Sequence, residues 1–108
     1  MAEENKARQE LLDFLDRKAF DPVLNASPDK FSGEDQQKLN KLQSTTRSTQ
    51  KRYHENYTSA GEVVVNFKRD LNSEAAQEVH QDLKDLGLPT LNDFKDEFEK
   101  KAKDLGVS

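Results

Sequence analysis

The chain has 108 residues, 35% of them charged and 32% hydrophobic, with 17 basic against 21 acidic side chains and a net charge of −4. That is material for one domain with one modest core, and the mild acidity argues against a general binder of nucleic acid or anionic membrane. Cysteine is absent and the longest apolar run is Val63-Val64-Val65, which excludes disulfides, thiolate nucleophiles, cysteine zinc sites, a transmembrane helix and a signal-peptide core.

The pattern predicts helix from end to end. In a first helix over 3–20, Leu11, Leu12, Leu15 and Ala19 share one face with Phe14 beside them. Glu3 and Glu4 in its first turn, and Arg17 and Lys18 in its last, suit the helix dipole. Asp21-Pro22 reads as its stop, and as the cap and first position of a short turn over 22–26. Phe31, in the loop that follows, is expected to fold back on the core. Ser32 then reads as a cap, with Glu34 and Asp35 in the first turn of the next helix.

From there Leu39, Leu42, Thr46, Thr49, Tyr53, Tyr57, Ala60, Val64, Phe67 and Leu71 recur at spacings of three and four. The stripe fits one helix of about 55 Å, or two helices over 34–57 and 60–71. A break near Thr58-Ser59-Ala60-Gly61 is favoured. Gly61 costs about 1 kcal/mol inside a helix, Ser59 and Glu62 have capping-box spacing, and a single rod of that length outreaches so small a globule.

Asn72 or Ser73 reads as the cap of a helix over 74–86, whose face is Ala75, Ala76, Val79, Leu83 and Leu86. Gly87 ends it, with Leu88 folding back on Leu83. Thr90 caps a last helix over 91–105, with Asp93 as its box partner and Leu91, Phe94, Phe98, Ala102 and Leu105 on its face. Gly106 and Val107 repeat the previous ending. The expectation is a single all-α domain over 1–108: a compact antiparallel helical bundle of about five helices with a long, kinked central helix.

Charge is segregated. Residues 36–69 carry seven basic and two acidic side chains, whereas both flanks are acidic. Between Gln36 and His54 no acid occurs, while Lys38, Lys41, Arg47, Lys51 and Arg52 are basic. Such a helix, 38–52, can contact phosphates. The plainer expectation is that the acidic flanks pack beside it and neutralise it. Thr46 and Thr49 lie on the stripe that faces inward. Small residues there either let another helix approach, with hydroxyls bonded back to carbonyls, or line a polar pocket together with Tyr53 and Tyr57. His54 has no orienting carboxylate at helical spacing and reads as a half-exposed surface histidine. Glu74, Glu78 and Asp82 stack like charges at every fourth position, which is unfavourable unless a cation faces them. His80 has Ala76, Gln77, Leu83 and Lys84 as helical neighbours, none of them a good metal ligand. No nucleophile elbow, glycine-rich phosphate loop or calcium loop occurs.

The function expected by elimination is a non-enzymatic, cytoplasmic macromolecular-interaction module or small regulator, acting through a protein partner or by self-association. Its expected partner-binding residues are Arg47, Lys51, Arg52 and His54 on the outer face of the 34–57 helix, then Glu74, Glu78 and Asp82. Nucleic-acid or anion binding through 38–52 is the first alternative. A small-ligand pocket along Thr46, Thr49, Tyr53 and Tyr57 is the second. No metal, cofactor or membrane contact is expected.

Overall fold

The first helix does not stop at Asp21-Pro22. The computed structural model describes the backbone of residues 2–107 and the side chains of residues 5–107, so the dipole role read for Glu3 and Glu4 lies outside the described side chains. In it α1 (Ala2–Leu15) continues through a π-helical turn, Asp16–Phe20, into α2 (Asp21–Leu24). The Asp21 amide bonds to the Asp16 carbonyl, five residues back. A proline inside a helix lacks its amide proton and crowds the carbonyl four residues earlier; the wider turn just before Pro22 relieves that crowding. The Asp21 carbonyl accepts the Asn25 amide at 2.8 Å, so the helix runs on where a cap was expected.

Two helices carry the long stripe, α3 (Gly33–Asn56) and α4 (Ala60–Asn72). Tyr57 and Ser59 adopt extended backbone between them, and the Ser59 hydroxyl accepts the Glu62 amide at 3.1 Å. The Glu62 carboxylate takes the Thr58 hydroxyl at 2.9 Å. Gly61 lies in the first turn of α4, where an added Cβ would meet nothing closer than the Ser59 Oγ at 3.9 Å. Gly61→Ala is therefore expected to raise stability by about 0.5–1 kcal/mol. A raised urea midpoint checks this; a lowered one would mean the junction needs the glycine.

Ser73 caps α5 (Glu74–Asp85), its hydroxyl accepting the Ala76 amide at 3.1 Å. A 3-10 turn, Leu91–Phe94, leads into α6 (Lys95–Asp104). Thr90 and Asp93 form a complete capping box before it. Gly87 and Gly106, at φ 73° and 82°, end the last two helices. The Leu88 and Val107 amides reach back five residues to the Leu83 and Ala102 carbonyls at 2.9 and 2.8 Å. Every regular element among the described residues is helical.

Side-chain bonds give the helix directions. Gln43 donates to the Val23 and Ala26 carbonyls, Gln50 to Asp16 and Asp21, and Arg8 to the His54 and Tyr57 carbonyls. As α3 advances its contacts retreat along α2 and α1, so the two run antiparallel. Lys38 meets Asp82 and Asp85, while Arg52 meets Asp70 just ahead of α5, so α3 is antiparallel to α5 as well. The bundle measures 48 × 21 × 20 Å.

Apolar burial is split in two. The main core joins α1, the π turn, the end of α3, α4 and α6, and includes Leu11, Leu12, Phe14, Phe20, Tyr53, Phe67 and Phe98. The Phe67 and Phe98 rings stack with centroids 3.9 Å apart, and Phe14 tilts against Phe98 at 6.0 Å. The smaller core consists of Val23, Leu42 and Leu83, with Val79, Leu86 and Leu88 packed against it. Phe31 is half-buried.

Candidate functional site

Between the two cores the facing walls of α3 and α5 are both built from small residues. Thr45, Thr46 and Thr49 stand on one side, and Ser73, Ala75 and Ala76 on the other. Neither wall fills the space. At one end Leu83 packs on Val23 and Leu42; at the other the Ser73 turn ties α5 to α4. The result is a partly open cleft of about 250 Å³. Phe20, Val23, Val79, Leu83 and Leu91 supply apolar surface, and Arg52, Asp70, His80 and Thr90 add polar groups.

Thr46 is 6% exposed. Among the described residues none hydrogen-bonds its hydroxyl, although each fully enclosed polar side-chain atom has a partner. The hydroxyl is therefore not fully enclosed, and the residue that carries it lines the cleft. The back-bonding to a carbonyl expected for it is not formed. Thr90, also buried, is satisfied by its cap.

The polar end of the cleft is an ion-pair cluster. Arg52 Nη2 lies 3.2 Å from Asp70 Oδ2, which also accepts the Tyr53 hydroxyl at 2.8 Å. Arg52 Nη1 donates to the Tyr57 hydroxyl oxygen, and Arg69 approaches the same oxygen at 3.4 Å. Burial works against the Arg52 charge, but the Tyr57 bond and the Asp70 carboxylate outweigh it and raise its pKa. Burial, and then the Asp70 charge, push the Tyr53 phenol well above its ordinary range. Both tyrosines belong to the main core, where their rings meet edge to face with centroids 5.0 Å apart.

His80 lines the opposite wall. Burial lowers its pKa, while Asp93 and Asp70 pull weakly the other way. A histidine whose folded pKa lies below the ordinary value of about 6.5 binds a proton more readily when unfolded. Its contribution is thus present above that pH and lost as the pH falls through it towards the folded value. The urea midpoint is expected to drop between pH 7 and 5.5, and to drop less in His80→Gln. Parallel profiles for the two proteins would show that His80 carries none of the effect.

The expected partner-binding residues separate. Arg47 and Lys51 are exposed on α3. Arg52 and His54 turn inward instead of sharing that outer face. His54 finds a carboxylate across the fold: its Nε2 lies 2.8 Å from Asp16 Oδ2, and Gln50 donates to Asp16 Oδ1 at 3.0 Å. That pair ties α3 to the π turn; His54 is half-exposed, as its position suggested, and its carboxylate comes from a distant helix where helical spacing offered none. Glu74 and Glu78 are exposed, whereas Asp82 and Asp85 face Lys38 at 3.9 and 3.6 Å. Of the expected polar pocket, Thr46 and Thr49 line the cleft and Tyr53 and Tyr57 do not. Sequence reasoning missed Asp70, Ser73, His80 and Thr90. The available signal was the Ala75-Ala76 pair, small residues set against a threonine stripe.

Among the described residues no three His, Asp or Glu side chains converge in a way that could hold a metal ion. No helix there is long and apolar enough to cross a membrane. No family model, curated protein or solved structure matches the chain.

Proposed function

We propose that this protein is a non-enzymatic helical binding module and that the cleft between α3 and α5 is its binding site. The observation that carries this reading is the cleft of about 250 Å³ itself, apolar-walled and lined by the buried residue Thr46, whose hydroxyl is bonded by none of the described residues. Ligand sites keep such space, with apolar walls and a few convergent polar groups. The charges here are already paired with one another, and the Ser73 hydroxyl is engaged as the α5 cap. These features suit holding a molecule. Amide NMR shifts recorded with metabolite mixtures test this. Shifts should concentrate on residues 45–52, 73–83 and 89–91, and a ligand at a hundred times its Kd should add about 2.7 kcal/mol of stability. Shifts that are absent, or scattered over the surface, would sink it.

The outer face of α3 supports a second reading, contact with a macromolecular partner. Arg47 and Lys51 are exposed, and the stretch from Gln36 to His54 holds no acid. If the partner is nucleic acid, affinity should fall steeply with salt and fall again in Arg47→Ala/Lys51→Ala. Capture from lysate that survives nuclease would favour a protein partner instead. A cytoplasmic location is part of both proposals.

A further inference from the structure

The dimensions and charges of the cleft narrow what it can hold. A cavity of about 150 Å³ accommodates benzene. By proportion the 250 Å³ here corresponds to roughly ten non-hydrogen atoms. That is the size of a substituted ring, and of a larger ligand the partly open cleft would enclose a part of that size.

Three titratable side chains line the cleft: Arg52, Asp70 and His80. Arg52 and Asp70 neutralise each other at 3.2 Å. Burial keeps His80 towards its neutral form near pH 7. A charged ligand would therefore lose its hydration without gaining a free counter-charge, which is costly in an apolar-walled site. A neutral polar group meets no such obstacle. The Thr46 hydroxyl, on a residue that lines the cleft, can both donate to it and accept from it. Thr49 lines the same wall.

Resting on the reading of the cleft as the binding site, we infer that its ligand is a small, uncharged amphipathic molecule. A hydroxyl-like head sits on Thr46, and an apolar body of ring size lies against Val23, Val79 and Leu83. The inference concerns the ligand's chemical class and leaves the outer face of α3 aside.

Three probes of matched shape test it: 2-phenylethanol, phenylacetate and 2-phenylethylammonium, each titrated into the full chain and followed by amide NMR. The alcohol should shift cleft residues and bind at least tenfold more tightly than either ion. Thr46→Val removes the hydroxyl while keeping the shape, and should weaken the alcohol about three- to tenfold. Its circular dichroism and melting temperature, compared with those of the parent, show whether the fold is retained. Thr49→Val serves as a second variant should Thr46→Val fail to fold. An ion that binds as tightly as the alcohol, or a folded Thr46→Val protein with unchanged affinity for it, overturns the ligand class while leaving the cleft as a site. No cleft shift from any of the three also overturns it. The metabolite mixtures then decide separately whether the cleft binds anything.

Discussion

Replacing Phe98 with alanine is expected to cost about 3–5 kcal/mol. Phe98 is fully buried, stacked on Phe67 from α4 and tilted against Phe14 from α1. It is the ring through which α6 joins the main core, so truncation opens a cavity between three helices. Domains of this size are stable by roughly 5–15 kcal/mol, so the variant should be close to unfolding at room temperature. Urea denaturation followed by circular dichroism checks the loss. A loss below about 1.5 kcal/mol would mean that α6 docks loosely and that the three-helix junction is not the centre of the fold. Phe98→Leu should recover much of the difference, because it refills most of the volume.

Asp70→Ala is the second large effect. One carboxylate oxygen holds both Arg52 and the Tyr53 hydroxyl. Removing it leaves the Tyr53 hydroxyl without its acceptor in a fully buried residue, a cost of about 1–3 kcal/mol. It also leaves Arg52 without its counter-ion. That part is smaller than for a deeply buried pair, since the Arg52 side chain is 34% exposed and solvent screens it. The total is expected to be about 2–4 kcal/mol. Asp70→Ala and Tyr53→Phe remove the same hydrogen bond, so their separate losses should not add. Tyr53→Phe in the Asp70→Ala background should cost much less than in the parent, because the orphaned hydroxyl goes with it. Additive losses in that cycle would show that Tyr53 and Asp70 do not interact. The same variant tests the cleft, whose polar end it dismantles: freed from Asp70, Arg52 would present an unpaired positive charge. Phenylacetate should then gain on 2-phenylethanol relative to the parent protein.

Much of the fold was legible in local chemistry. Ser59, Ser73 and Thr90 are short hydrogen-bonding side chains placed just before helical faces, and each caps the helix that follows. Gly87 and Gly106 sit where positive φ is needed, and each ends a helix. The stripe from Leu39 to Leu71 faces inward on both α3 and α4; along it Thr49 alone is half-exposed, while the other positions are buried. These features act between residues a few positions apart, so sequence spacing carries them directly. The π turn before Pro22 escaped that reasoning. A proline usually signals a stop, and whether a wider turn absorbs it depends on how strongly the flanking residues are held. Here Ala19, Phe20 and Val23 are all buried on either side of it.

The site was legible in part. Thr46 and Thr49 stood out because hydroxyls occupied an apolar stripe. What they face was set elsewhere. His54 and Asp16 are 38 positions apart, Arg52 and Asp70 are 18 apart, and nothing in the spacing of either pair announces the contact. Outward Arg47 and inward Arg52 look alike in sequence; the difference is the neighbouring α4, which brings Asp70 within reach of one of them. By itself, then, the amino-acid sequence determined the helices, their caps and their apolar faces, because those follow from periodicity and short-range hydrogen bonds. Only the tertiary structure decided which charges are paired and that two small-residue walls stand apart, because both depend on where distant helices are held by the large side chains that pack around them.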